Sequence, residues 1–79
     1  MTQLKALEQF EDDMDWVARH YEDLKQSFPE KYVAVYRHEV VDHDAEIGPL
    51  MGRLKSRYGA DATSVAVEYI STKKDELIL

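Results

Sequence analysis

Tyr32-Val33-Ala34-Val35-Tyr36, entered through Phe28-Pro29-Glu30-Lys31 and followed by Arg37-His38 and Glu39-Val40-Val41-Asp42-His43, decides the fold of this 79-residue chain. Its β-branched and aromatic residues are those of a strand, and it is apolar enough to be a central one. Glu39 to His43 reads as a strand returning beside it, which leaves Arg37-His38 as the turn. Tight two-residue turns favour Asn-Gly or other glycine-containing pairs, so this turn is expected to be wider than two residues.

Upstream, Gln3 to Ser27 contains no Gly or Pro, and Leu7, Phe10, Met14, Val17, Tyr21, Leu24 and Phe28 recur at alternating spacings of three and four. That is a helical seam about three heptads long. Thr2 suits its cap, and Pro29 ends it. A helix of this length runs about 37 Å, more than the roughly 30 Å width of a compact globule of this size. One end is therefore expected to overhang. Pro29 and Glu30 lead directly into the strand, so the overhanging end carries Leu4, Leu7 and Phe10, which are expected to pack against another chain. A break near Glu11-Asp12-Asp13 is the alternative.

Downstream, Ile47, Leu50, Met51, Leu54 and Tyr58 trace a second helical face, with Pro49 early and Gly59 at the stop, and Ser64 to Thr72 reads as a third strand. The order α-β-β-α-β predicts a two-layer α+β fold. Its three-stranded antiparallel sheet has order 2-1-3, with two helices on one face. The chain reads as one domain: a first helix over about 3–28, sheet and second helix over about 31–72, and a short tail at 73–79. Val33, Val35, Val65, Val67 and Tyr69 would face the helices. Tyr32, Ala34, Tyr36, Ala66, Glu68 and Ile70 would form an open face, on which Tyr32 and Tyr36 suit an interface.

Trp16, Tyr21, Leu24, Phe28-Pro29-Glu30-Lys31-Tyr32-Val33-Ala34-Val35 and Glu39-Val40-Val41 resemble a family of short archaeal and bacterial proteins catalogued as a domain of unknown function. Its hallmark is a Trp, a Leu-containing helix, then aromatic-Pro-x-Lys-Tyr/Trp-Val-Ala-Val. The resemblance covers about residues 13 to 72. It implies a prokaryotic α+β domain and carries no catalytic residue to transfer. Members generally show an Asp-Gly or similar turn where this chain has Arg37-His38.

Sixteen acidic against ten basic residues give a net charge of −6. That disfavours the phosphate contacts on which nucleic-acid affinity rests. Residues 1–30 hold eight acids and three bases, residues 31–79 eight and seven, so the first helix is the acidic part. No apolar run approaches the ~18 residues of a membrane span, and Met1 to Lys5 lacks the apolar stretch of a secretion signal, so a cytoplasmic address without membrane contact is expected. A core this small, without cysteine, is expected to gain stability from a protein partner or from self-association.

His38, Asp42, His43 and Asp44 invite a metal reading, because imidazole and carboxylate suit zinc, manganese or iron. On a strand, however, His38 and His43 point to opposite faces, and a polar strand end leading to the next helix explains the same residues. Glu11, Asp12, Asp13 and Asp15 spread around a helix and read as a solvated face. Arg53, Lys55 and Arg57 offset the dipole of the second helix, and Trp16 seals a core edge. With no nucleophile elbow and no phosphate-cradling loop, neither an enzyme nor a cofactor is expected. The expectation is a non-catalytic interaction or accessory module. The alternative is a small ligand- or metal-binding protein using the His38 to Asp44 hairpin.

Overall fold

The computed structural model describes the backbone of residues 2–72 and the side chains of residues 7–72. The expected tail at 73–79 and the side chain of Leu4 lie outside the described residues. The chain forms α1 (Thr2–Arg19), α2 (Tyr21–Ser27), β1 (Lys31–Val35), β2 (Val40–Asp44), α3 (Ile47–Tyr58), a 3-10 helix (Gly59–Ser64) and β3 (Ala66–Ile70). The sheet is antiparallel with order β2-β1-β3, as expected, and β1 is central. Among the described residues no helix is long and apolar enough to cross a membrane.

The expected first helix is two. Its break falls at His20, not at Glu11-Asp12-Asp13. The His20 N–H is shared between the carbonyls of Trp16 (3.0 Å) and Val17 (3.2 Å). The His20 ring stacks on Trp16 with centroids 4.2 Å apart, and its Nδ1 donates to the Trp16 carbonyl at 2.9 Å. A straight helix of about 37 Å could not keep both ends on five-residue strands of about 17 Å. The bend keeps the seam on the sheet: Phe10, Met14 and Val17 from α1 and Tyr21 and Leu24 from α2 share one core cluster with Phe28, Val33, Val35, Ala66 and Ile70.

The helices cover opposite faces, which corrects the expectation of two helices on one face. Val33 and Val35 join the α1 and α2 cluster, whereas Ala34 packs with Leu50, Leu54, Ala62 and Val65. Adjacent strand residues point to opposite faces, so α3 lies across the sheet from α1. Tyr32, Tyr36 and Val67 therefore pack half-buried against the α3 cluster, and no face holding Tyr32 and Tyr36 stands open. In β3 the parity is also reversed: Ala34 pairs with Val67 and Val35 with Ala66, so Val67 shares a face with Ala34, not with Val33. A one-residue offset in register flips every side chain of a strand. The apolar character of β1 at both parities is the mark of a strand covered on both sides.

The turn is tight. Val35 pairs with Val40 and the Tyr36 N–H donates to the Glu39 carbonyl at 2.9 Å, leaving only Arg37 and His38 between. Both hold positive φ, 56° and 62°, a conformation that costs about 1–2 kcal/mol per non-glycine residue. Asp13 offsets that strain. Its fully buried carboxylate accepts the Arg37 N–H at 3.0 Å, the His38 N–H at 2.9 Å and Gln9 Nε2 at 3.0 Å. A register shift between Ala34 and Val35 leaves Val41 as the extra residue of a bulge, so Val40 packs with the α1 cluster and Val41 with the α3 cluster.

Asp13 also sets the direction of α1. It lies at the turn, while Tyr21 reaches the opposite end of the sheet, where its hydroxyl accepts the Ser71 N–H at 2.9 Å. Residues 2–12 of α1 therefore lie beyond Asp13, up to about 16 Å at 1.5 Å per residue. Phe10 still reaches the core cluster, but Leu7 is 53% exposed.

Asp13→Ala removes the acceptor of two amides, at about 1–3 kcal/mol each, and is expected to destabilise the domain by about 2–5 kcal/mol. That is a large part of the roughly 4–12 kcal/mol a chain this long has. Urea denaturation followed by circular dichroism measures it. Arg37→Asn with His38→Gly, a pair that takes positive φ readily, should restore part of the loss in the Asp13→Ala background. A wild-type midpoint for Asp13→Ala would show that the turn does not depend on the carboxylate.

Candidate functional site

The turn gathers two sets of side chains, one on each side of the sheet. On the α1 side, His38 Nε2 lies 2.7 Å from Asp12 Oδ2, and both side chains are exposed. The Trp16 ring lies between stacking partners on the helix and the hairpin, with centroids 4.2 Å from His20 and 6.3 Å from His38. Asp12, Asp13 and His38 each bring one potential ligand atom within 4.8 Å of the others. Both Asp13 oxygens, however, already receive N–H groups. That leaves Asp12 and His38 as open donors, fewer than the three or four protein ligands of a zinc site. The arrangement serves as a polar clasp between α1 and the hairpin.

The residues read as a metal alternative are not brought together. His38 sits at the turn with Asp12, and His43 tilts against Phe28 with centroids 4.8 Å apart on the α1 and α2 face. Asp42 and Asp44, two apart on β2, both turn to α3, where Arg53 holds them. Arg53 Nε and Nη2 donate to Asp42 at 2.9 and 3.1 Å, Nη1 donates to Asp44 at 3.0 Å, and Nη2 also donates to the His43 carbonyl at 3.0 Å. The Arg53 guanidinium holds the Asp42 carboxyl below the usual carboxylate range. Asp44 is lowered first by the Glu46 N–H it accepts at 2.9 Å and then by Arg53. These groups fasten α3 to β2. Arg53 escaped the sequence reading as their partner, although the shared parity of Asp42 and Asp44 pointed to one common cation.

The residues read as an interaction surface divide. Phe10 is half-buried in the core, and Tyr32 tilts against Tyr69 with centroids 4.8 Å apart. Leu7 alone among the described members of that set is largely exposed. Steps of 100° per residue place Glu11, Asp15 and Glu8 about 40°, 80° and 100° around the helix from it, and all three are exposed. The projecting part of α1 thus presents one exposed leucine with an acidic flank along one side of it.

Tyr36 belongs to an arrangement missed in the sequence. Its ring tilts against Tyr58 at 5.4 Å, Arg37 lies 5.4 Å from the Tyr36 centroid, and Arg57 lies 5.6 Å from the Tyr58 centroid. The four make a row of Arg37, Tyr36, Tyr58 and Arg57 on the α3 side of the turn, anchored where Arg57 Nη1 donates to the Val41 carbonyl at 3.0 Å. Arg57 was visible as part of a basic cluster, but no spacing joined it to Arg37.

Residues 23–73, more than half of the chain, match the family described as "Family of unknown function (DUF5678)". The chain belongs to that family. No curated protein and no solved structure matches it. In this DUF5678 domain the matched residues take in the whole sheet, α3 and most of α2, whereas Asp13 and Trp16 on α1 precede them.

The clamp on Arg53 gives a pH dependence with a definite sign. Both carboxyls have folded pKa values below the unfolded one. Their stabilisation is therefore present above about pH 4 and is lost as pH falls through the lower folded values. Arg53→Gln should melt below wild type at pH 7, with the difference closing as pH falls below about 4. Thermal melts across that range check it, and a difference of the same size at pH 2 would exclude the clamp as its cause.

Proposed function

We propose that this domain is a non-catalytic interaction module whose contact surface is the projecting part of α1. The observation that carries this reading is Leu7. It continues the seam of Phe10, Met14 and Val17, yet is 53% exposed where they pack against the core. A large apolar side chain held out on a helix that projects beyond its own sheet suits a partner rather than the chain's interior. Glu8, Glu11 and Asp15 along one flank of it define the partner's chemistry: an apolar or aromatic contact for Leu7 with cationic side chains to one side. Two α1 stripes facing each other would oppose like charges, and phosphate would be repelled. A basic protein surface is the fitting occupant.

A synthetic amphipathic helix of leucine and lysine serves as a defined probe, with fluorescence anisotropy as the readout. Wild type is expected to bind it saturably. Leu7→Glu should weaken binding about ten-fold or more through lost apolar burial, although its added negative charge alone would tighten a purely ionic contact. The same substitution should leave the melting temperature unchanged, whereas Phe10→Glu should lower it. Equal or tighter binding by Leu7→Glu, or no saturable binding by wild type, would rule out this surface.

A further inference from the structure

We infer that the partner of the α1 stripe is a second copy of this chain, which receives it on the row of Arg37, Tyr36, Tyr58 and Arg57. This rests on the reading of α1 as a contact surface and names what that surface meets. Arg53 is held by Asp42 and Asp44, Arg19 by Asp15 at 3.4 Å, and Lys25 by Glu22 at 3.2 Å. Arg37 and Arg57 are exposed, and among the described residues neither pairs with a carboxylate. Two guanidinium groups left without a counter-charge are unexpected in a chain of net charge −6. Between them stand Tyr36 and Tyr58, so the row has an aromatic centre and cationic ends. The stripe on α1 has Leu7 at one end and an acidic flank running from it through Glu8 and Glu11 to Asp15. Arg and Tyr are also the side chains on which interface energy concentrates.

Geometry allows the two surfaces to meet between copies. The row's successive spacings are 5.4, 5.4 and 5.6 Å, and Leu7 to Asp15 runs roughly 12 Å along a helix. Both surfaces lie at the turn end of the sheet, the row beside the turn and the stripe beyond Asp13. They belong to opposite faces, because Tyr36 and Tyr58 pack with the α3 cluster and α1 with the other. A stripe therefore does not fold onto its own row. Two copies meeting turn to turn, related by a two-fold axis lying in the sheet plane, bring each α1 over the α3 face of the other. That interface is isologous and closes as a dimer.

Sedimentation equilibrium tests the inference on the whole chain. Wild type is expected to dimerise, with a dissociation constant that rises at least ten-fold between 0.1 and about 1 M salt as the Debye length shrinks from about 10 to 3 Å. Arg37→Glu/Arg57→Glu and Glu8→Lys/Glu11→Lys should each be monomeric alone. Mixed together they should associate again, since both exchanged contacts then pair opposite charges. Melting temperatures verify that each variant is folded, and the salt series on wild type tests the contact without any substitution. A wild type monomeric at about 0.5 mM, a dimer indifferent to salt, or variants that fail to associate when mixed would overturn the inference. If wild type is monomeric yet still binds the leucine-lysine helix through Leu7, the contact surface stands and only the second copy as its occupant falls. Loss of both results removes the surface itself.

Discussion

One carboxylate holds this structure in its arrangement. Asp13 receives the amides of two consecutive residues at positive φ, and through them a helix and a hairpin distant in sequence become one unit. Neither Arg37 nor His38 adopts that conformation readily. With an acceptor for both amides the turn closes over two residues. The short turn then sets where Val35 meets Val40, and the bulge at Val41 follows from the register. Since β1 is shared by both neighbours, the placement of the sheet beneath α1 and beneath α3 depends on that closure.

The energetic logic is that of a buried charge tolerated because it is fully partnered. Removing a carboxylate from water without compensation is severely unfavourable. Here three N–H donors replace the water, and their amide geometry admits little variation. Such a group contributes less to net stability than to uniqueness, because any slip of helix against hairpin would leave it unpaired. The domain needs that uniqueness. A three-stranded sheet covered on both faces divides a 79-residue chain into two small cores. Neither is deep enough to be sealed by aliphatic residues, so Trp16, Tyr21 and Phe28 close one side and Tyr32, Tyr36 and Tyr58 the other.

Much of the fold was legible in the sequence. The β1 run is apolar enough to announce a central strand, and strand order follows once the second helix is seen as a crossover. The same run carried a further message, since apolar residues at both parities require a cover on both faces. The open face expected for Tyr32 and Tyr36 does not form, because α3 covers the residues of that parity. The site was less legible. Asp13 stood among Glu11, Asp12 and Asp15 as if in a solvated cluster, yet it lies three residues from Phe10 and four from Val17, on the buried seam. The bend at His20 left no signal, because it arises from sheet length and not from a Gly or Pro. His38 and His43, expected on opposite faces, both lie on the α1 side and are kept apart by the length of the hairpin, one at the turn and the other opposite Val33, while the union of Arg37 with Arg57 exists only in three dimensions.

The lopsided charge of the chain takes on structural meaning once the faces are known. The acids of residues 1–30 lie largely on α1 and α2, which cover one side of the sheet, whereas Arg37 and Arg57 stand at the turn on the other. Within one molecule the central sheet keeps these charges apart. Asp15 finds Arg19, and Asp12 finds His38, but Glu8 and Glu11 have no such partner among the described residues. Separation across a sheet whose neighbouring layers lie about 10 Å apart is comparable to the Debye length of about 8 Å at physiological salt. Arg37 and Arg57 therefore place local positive charge beside the turn that the net charge of −6 does not reveal. On the proposed reading, a partner would be oriented by that local charge before any side chain touches. Such an orientation at the turn end would follow from the same Asp13 that joins α1 to the turn.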